Sequence, residues 1–250
     1  MTHTKKPISY PAWPEASVDP SLNYLQERYL PDLQNVDIEG LLRDELLSNA
    51  AIVSSFGAES AVLLHQIALI RPDIPVLFIE TGKHFRETIE YRDQLLDLLG
   101  LKLIVVEPNA KDLSREDPTG DLSQRDPNGC CLLRKSFPLQ DALSGYDAWI
   151  SGRKRFQAAS RSTIPLIERD GSKIKINPLA LWEKDSLNAY FAKHNLPRHP
   201  LEAQGYPSIG CAPCTNKPQQ GADPRSGRWS RFQGKTECGI HLGPDGRFTR

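Results

Sequence analysis

The chain has 250 residues, of which 39% are hydrophobic, and a formal net charge of +0 at pH 7. This length supports one substantial hydrophobic core, so we expect one α/β domain with a tail rather than two domains. The balanced charge excludes binding of nucleic acid or of a membrane surface by bulk electrostatics, and no apolar run is long enough for a membrane span.

Regular spacing of apolar residues predicts an alternation of helices and strands along the chain. Helical spacing is found at residues 22–30, 38–47, 61–70, 85–99 and 183–195, with Asp37 as a cap for the second helix. Short apolar, β-leaning runs predict strands at residues 51–56, 76–79, 103–106, 148–152 and 174–176. This alternation predicts a single Rossmann-like α/β domain, in which a parallel sheet is flanked by helices.

The domain boundaries follow from composition. Residues 1–20 are rich in proline and polar side chains and are predicted to form a loose arm. Residues 21–200 are predicted to form the α/β domain, and residues 201–250 a C-terminal segment that ends in a mobile tail. The amino terminus lacks an apolar core of signal-peptide length, and the chain has five cysteines. These features indicate a reducing cytoplasm, where thiols serve metals or catalysis.

Two turns follow predicted strands and are candidates for ligand binding. Residues 54–60 (SSFGAES) place hydroxyls and backbone N–H groups at a helix N-terminus, where an anion binds favourably. The turn is neither a Walker motif nor a GxGxxG motif, and a tight turn without a ligand is the alternative. Residues 80–84 (ETGKH) end the next strand and could line the same crevice, because ligands favour the carboxyl ends of parallel strands.

Four cysteines form two pairs. Cys130 and Cys131 are adjacent, and they open a run predicted to be helical until Pro138 breaks it. Cys211 and Cys214 have the C-x-x-C spacing of a metal-ligand pair. Because a disulfide between adjacent cysteines is strained, the pairs suit a site with several metal positions. Zinc, an iron–sulfur cluster, a disulfide framework and metal-free thiols remain alternatives, and the adjacent pair favours iron–sulfur over zinc.

The fifth cysteine, Cys238, is followed three residues later by His241. A cation near a thiol lowers its pKa, so Cys238 is a candidate nucleophile, with an inert tail thiol as the alternative. Two local groups of basic residues indicate a polyanionic small molecule, although a solvated surface would also explain them. These groups consist of Arg153, Lys154, Arg155 and Arg161, and of Arg225, Arg228, Arg231 and Lys235.

Taken together and in this order, the motifs SFGAES, FIETGKHFRET, CCLLRKSFPL, GCAPCT, RSGRW and ECGIHL resemble assimilatory adenylyl-sulfate (APS) reductases of the iron–sulfur type. That family is related to the phosphoadenylyl-sulfate (PAPS) reductases and, more distantly, to the PP-loop ATP pyrophosphatases of the adenine nucleotide alpha hydrolase-like fold. The resemblance extends from about residue 50 to the C-terminus. Ser60 and Glu80 are departures, since the family commonly has aspartate at both positions.

The resemblance implies that Cys238 attacks the sulfur of APS and releases AMP in sulfate assimilation and cysteine biosynthesis. Thioredoxin or glutaredoxin would then free sulfite from the S-sulfocysteine. It also implies a [4Fe–4S] cluster on Cys130, Cys131, Cys211 and Cys214. Lys135, Arg225, Arg228 and His241 would surround the phosphosulfate. The nucleotide would contact Ser55, Gly57, Ser60, Glu80, Thr81, Gly82 and Arg161.

Alternatives from other classes remain. The nearest is a PAPS reductase or an enzyme that accepts both nucleotides. A PP-loop ATP-dependent tRNA thiolase would want a turn of the SGGxDS type, which residues 54–60 do not provide. A binding module stapled by a metal, without catalysis, is the third. We expect neither nucleic acid nor a membrane as a partner, and a homo-oligomer remains open.

Overall fold

A computed structural model describes residues 20–232, 235, 237, 238 and 240 of the chain. Residues 1–19 of the predicted arm lie outside the described residues, as does His241. None of the described helices combines the length and the apolar character that crossing a bilayer requires.

The described residues form one six-stranded sheet. Its strands are β1 (Ala50–Val53), β2 (Val76–Ile79), β3 (Leu103–Val106), β4 (Ala148–Ser151), β5 (Ile167–Asp170) and β6 (Lys173–Ile176). Their order across the sheet is β3-β2-β1-β4-β6-β5, and all neighbours are parallel except β5 and β6. The predicted α/β fold with a mostly parallel sheet is confirmed.

Strand β5 was not predicted from the sequence. Ile167 is its only apolar residue, so it lacks the pattern of a buried strand. It pairs with β6 across a two-residue turn that contains Gly171, whose φ of +62° is favourable for glycine. An antiparallel hairpin therefore closes one edge of an otherwise parallel sheet.

Helices cover both faces of the sheet. They are α1 (Pro20–Tyr29), α2 (Ile38–Arg43), α3 (Ser60–Ile70), α4 (Arg86–Leu99), α5 (Ala110–Glu116), α6 (Leu122–Arg125), α7 (Pro127–Cys131), α8 (Phe137–Leu143), α9 (Lys184–Lys193) and α10 (Pro200–Ala203). In β1, Ala50 and Ile52 belong to one buried apolar cluster, and Ala51 and Val53 to another. This alternation places one cluster on each face, because successive strand side chains point in opposite directions.

The predicted cap of α2 is confirmed, because the Asp37 side chain accepts a hydrogen bond from the Gly40 amide at 2.8 Å. The predicted break at Pro138 is wrong. A π-helical turn (Leu132–Ser136) follows α7 and leads directly into α8. Pro138 lies in the first turn of α8, where its ring is tolerated. The segment from Pro127 to Leu143 is therefore one continuous helical path.

The strand order determines where a ligand can enter. From β1 the chain builds the sheet outward through β2 and β3, and it then returns to add β4 on the other side of β1. The connection that leaves β1 therefore leads toward β2, and the connection that leaves β4 leads the other way, toward β5 and β6. In α/β sheets, ligands bind in the crevice at such a switch point, outside the carboxyl ends of the strands.

Candidate active site at the carboxyl edge of the sheet

The turn after β1 is held in an unusual backbone conformation. Phe56 has a φ of +48°, a left-handed conformation that is uncommon for a bulky side chain. Its ring is fully buried and packs edge-on against Phe78, with the ring centroids 5.6 Å apart. The Phe56 amide also donates to Ser54 Oγ at 3.2 Å. These contacts fix the turn, and α3 begins directly after it at Ser60.

A cavity of about 230 Å³ opens at the switch point between β1 and β4, and we call it the larger cavity. It is bounded by the turn after β1, by the segment after β4 and by the C-terminal segment. The predicted residues Ser55, Gly57 and Ser60 line it. So do six cations, namely Lys135, Arg153, Lys154, Arg161, Arg225 and Arg228. Such a concentration of positive charge suits a polyanionic small molecule.

Cys238 lines the larger cavity next to a lysine. Its Sγ atom lies 3.3 Å from Lys135 Nζ and 3.9 Å from Cys131 Sγ. A hydrogen bond with Cys131, together with the charges of Lys135 and Arg228, holds the pKa of Cys238 well below its usual value although burial opposes this. Burial disfavours the charged ammonium of Lys135, but the sulfurs of Cys211, Cys238 and Cys131 raise its pKa. The pair is therefore suited to a thiolate beside an ammonium.

Arg161 and Arg225 meet a carboxylate of the C-terminal segment. Glu237 accepts two hydrogen bonds from Arg161, at 2.6 and 2.7 Å, and one from Arg225 at 3.2 Å. Both arginines were predicted to contact the substrate. In the structure they line the larger cavity and also anchor the residue that precedes Cys238.

Arg228 lies between the arginine pair and the cysteines. Its guanidinium is over the Trp229 ring, 4.5 Å from the centroid, and its Nη1 donates to the Ile209 carbonyl at 3.0 Å. Its buried Nε has no hydrogen-bond partner among the described residues. A Cβ at Gly210 would meet the Arg228 guanidinium, so a larger residue there would displace the guanidinium from this position.

The four predicted ligand cysteines come together in a second, narrow cavity, which we call the cysteine cavity. All four are buried, and the lining includes Cys130, Cys131, Cys211 and Cys214. Burial and the neighbouring Cys211 raise the pKa of Cys130 to about 11, so an ionised thiolate there needs a positive partner. Among the described residues, no three Cys, His, Asp or Glu side chains are arranged to hold a metal ion.

The turn after β2 faces the cysteines. Thr81 Oγ1 lies 3.4 Å from Cys211 Sγ, and the Thr81 carbonyl accepts from Arg134 Nη1 at 2.8 Å. The Glu80 side chain accepts from the Gly82 amide at 2.7 Å. Of these three predicted nucleotide contacts, Thr81 lines the cysteine cavity and none lines the larger cavity, whereas His84 of the same predicted turn does line the larger cavity.

Some residues of the larger cavity were not identified from the sequence. Glu237 was read only as a neighbour of Cys238, and Gln157 carried no signal. Glu59 lies in the SSFGAES turn, but no sequence pattern assigns it a role. Lys154 was counted with the basic residues, and in the structure it pairs with Glu59 at 2.9 Å. Such pairings depend on which strands are adjacent, and a local pattern does not contain that information.

Comparison with known proteins identifies relatives of the whole α/β domain. The family model described as phosphoadenosine phosphosulfate reductase domain matches residues 49–217. The adenosine 5′-phosphosulfate reductase of Chelativorans sp. (strain BNC1) is 52% identical over 201 residues, covering 80% of this chain and 81% of that protein. The enzyme of the same name from Mycolicibacterium smegmatis is 42% identical over 231 residues, covering 90% of this chain and 97% of that protein.

Solved structures agree on the fold. The phosphoadenylyl-sulfate (PAPS) reductase from Candida auris, solved as a phosphate complex, superposes with a TM-score of 0.65 at 24% identity. The match covers 79% of this chain and 97% of that chain. The FMN adenylyltransferase of Candida glabrata gives a TM-score of 0.52 at 14% identity over 84% of this chain and 71% of that chain. Both likenesses concern the arrangement of helices and strands.

Proposed function

This chain belongs to the family of phosphoadenosine phosphosulfate reductase domains, and on that premise we propose that it reduces adenosine 5′-phosphosulfate (APS) to sulfite and AMP. The observation that carries the proposal is the position of Cys238, whose Sγ lies 3.3 Å from Lys135 Nζ at the wall of the larger cavity. A thiolate held beside a buried cation, facing a cationic cavity, suits nucleophilic attack on an anionic substrate.

The reaction balances as three displacements. The Cys238 thiolate attacks the sulfur of APS, an S–S bond forms, and the sulfur–oxygen bond to the phosphate breaks with its electron pair leaving on AMP. A thioredoxin thiolate then attacks Cys238 Sγ, and sulfite leaves with the electron pair of the first S–S bond. The second thioredoxin thiol resolves the mixed disulfide, so the two electrons come from the thioredoxin dithiol.

The cations of the larger cavity have a defined part in the first displacement. Attack brings a thiolate toward a sulfonate, and positive charge is needed to offset the repulsion and to stabilise the departing phosphate. Lys135 is next to Cys238, and the buried Nε of Arg228, which has no hydrogen-bond partner in the part of the chain that the structure describes, is a donor for an anion. The turn after β1 would bind the nucleotide, as its position at the switch point favours.

We propose that the four cysteines of the cysteine cavity hold a [4Fe–4S] cluster, because all four are buried and line one cavity. Zinc would gather its ligands at about 2.3 Å around one ion, whereas the adjacent Cys130 and Cys131 suit a group with several metal positions. A cluster takes one thiolate on each iron, so its ligands are spread more widely. Cys130, Cys131, Cys211 and Cys214 would hold it, and its chemistry would be to polarise the neighbouring site rather than to transfer electrons. Thr81, whose Oγ1 lies 3.4 Å from Cys211 Sγ, would then contact the ligands of the cluster.

The second displacement requires thioredoxin to reach Cys238. Ile240 packs against the apolar cluster that contains Leu139 and Trp149, which supports a closed position for sulfonate transfer. We propose that the C-terminal segment that carries Cys238 leaves the larger cavity, so that thioredoxin can reduce the S-sulfocysteine. A crosslink between positions 139 and 240 that left turnover with thioredoxin unchanged would contradict this step. Five free thiols favour a reducing cytoplasm as the compartment.

PAPS is the competing substrate, and it carries an additional 3′-phosphate. Two cations after β4 are already paired with carboxylates: Lys154 with Glu59 at 2.9 Å, and Arg153 with Glu168. This pairing reduces the positive charge available to a further phosphate, and it favours APS.

The deciding experiment measures sulfite release with thioredoxin, comparing kcat/KM for APS and PAPS on anaerobically purified protein. We expect a strong preference for APS. Comparable use of PAPS would keep the Cys238 chemistry but contradict the substrate assignment. Absence of sulfite from either nucleotide would contradict the proposed function.

A further inference from the structure

Glu237 is bound to Arg161 in a bidentate arrangement. Arg161 Nε and Nη2 donate to the two carboxylate oxygens at 2.6 and 2.7 Å. Glu237 is only 8% exposed and Arg161 only 9%. Charge-assisted, bidentate pairs of this kind fix geometry as well as adding binding energy. The position of the backbone at residue 237 is therefore determined by Arg161.

Two further donors complete the environment of this carboxylate. Arg225 Nη2 lies 3.2 Å from one oxygen, and Ser160 Oγ lies 3.3 Å from the other. Burial alone raises the pKa of Glu237, but the hydrogen bonds and charge of Arg161, with the charge of Arg225, hold it below its usual value. The carboxylate is ionised and satisfied, in a cavity otherwise rich in cations.

Arg161 is itself held from its other side. Its Nη1 donates to Gln157 Oε1 at 2.6 Å, and Gln157 Nε2 donates to Glu59 Oε2 at 2.6 Å. Glu59 belongs to the turn after β1 and pairs with Lys154 at 2.9 Å. A continuous series of hydrogen bonds thus runs from the turn after β1 to the residue that precedes Cys238.

We propose that Glu237 is a positioning residue, which fixes Cys238 against Lys135 by its bidentate contact with Arg161. On this assignment Arg161, predicted from the sequence to contact the nucleotide, acts mainly on the C-terminal segment. The catalytic part of this inference rests on the proposed function. The contacts between Glu237 and Arg161 do not depend on it. Its physical basis is that a displacement of about 1 Å of a reacting group costs about a hundredfold in rate.

The competing interpretation is that Glu237 only occupies an anion position from which the substrate displaces it. Substitution would then leave Arg161 free to bind substrate. The variant Glu237→Gln would bind APS more tightly and would keep its rate of reaction. For Glu237→Gln, the positioning role therefore predicts a lower kcat with little change in KM. The competing interpretation predicts a lower KM with an unchanged kcat.

The first experiment uses the full chain, purified anaerobically with its iron, and measures S-sulfocysteine formation on Cys238 in a single turnover without thioredoxin. We expect Glu237→Gln to lower the rate about a hundredfold, with little change in the APS concentration at half-maximal rate. Glu237→Asp should restore part of the rate. Glu39→Gln is the matched control, because Glu39 makes an exposed pair with Arg43 at 3.2 Å on α2.

The second experiment does not depend on APS chemistry. Iodoacetamide labelling of Cys238 at a pH of about 9.5, where a released thiol is also ionised, followed by peptide mass spectrometry, reports how well the segment is held in the cavity. We expect several-fold faster labelling in Glu237→Gln and a smaller increase in Gln157→Ala, which loosens the other side of Arg161. If native protein made no S-sulfocysteine, the proposed function would fail while this test still stood. Labelling at the native rate in both variants, or a retained rate with a lower KM in Glu237→Gln, would overturn the inference.

Discussion

The turns after β1 and β2 differ in how their residues are divided between the two cavities. Each follows a buried parallel strand, and both were predicted to line one nucleotide crevice. The turn after β1 lines the larger cavity, whereas the turn after β2 is divided: His84 lines the larger cavity, and Thr81 lies 3.4 Å from Cys211. Only β1 borders β4, so only its turn lies at the switch point. Strand order, which no local motif contains, therefore places the turn after β1 at the switch point and part of the turn after β2 against the cysteines.

The two cavities share part of their walls. Lys135, Arg228 and Trp229 line both of them. Cys238 approaches this shared wall, with its Sγ 3.3 Å from Lys135 Nζ. The proposed chemistry therefore takes place where the nucleotide side and the cysteine side meet, and substitutions can test the two sides separately.

The largest effect is expected at the shared wall. The variant Lys135→Met removes the cation beside Cys238, so we expect the single-turnover rate of S-sulfocysteine formation to fall by about 10²–10³-fold, as for loss of one transition-state donor. Labelling of Cys238 by iodoacetamide at neutral pH should also slow, because the thiolate loses a stabilising charge. Lys135→Arg, which keeps the charge, should retain more of the rate. Unchanged rates in Lys135→Met would show that the cation is not used.

Substitution of a residue in the cysteine cavity is expected to have a smaller effect on the rate and to leave the nucleotide site unaltered. The variant Cys130→Ser should lose iron and acid-labile sulfide, with a fall in activity of about 10–100-fold. Its affinity for AMP, measured by calorimetry, should stay close to the native value, since the turn after β1 is not altered. Cys238→Ser is the control and should keep its iron. Loss of AMP binding in Cys130→Ser would show that the two sides are not separable.

The smallest expected effect is on AMP affinity, and it compares the turn after β1 with the turn after β2. Removing one hydrogen bond of about 1 kcal/mol weakens binding about fivefold, so we expect Ser55→Ala to lower the affinity for AMP by that factor. Thr81→Ala should leave AMP affinity unchanged, because Thr81 lines the cysteine cavity. An equal loss in both variants would return residues 80–82 to the nucleotide site.

The sequence predicts what depends on local pattern. Alternating apolar runs gave the parallel sheet, and the pairing of Cys130 and Cys131 with a C-x-x-C motif pointed to the buried thiols of the cysteine cavity. Strand β5 was missed because its residues are mostly charged, and the helix through Pro138 was missed because a π-helical turn precedes it. The contacts of Glu237 and Thr81 depend on which distant segments become neighbours, and no local pattern contains that.

The central claim is that Cys238 is the nucleophile. The most direct test incubates the anaerobically purified protein with APS, without thioredoxin, and maps the adduct by peptide mass spectrometry while AMP is quantified. The account predicts one sulfonate on Cys238 for each AMP released, and neither product with Cys238→Ser. An adduct on another residue, or AMP release that persists in Cys238→Ser, would contradict it.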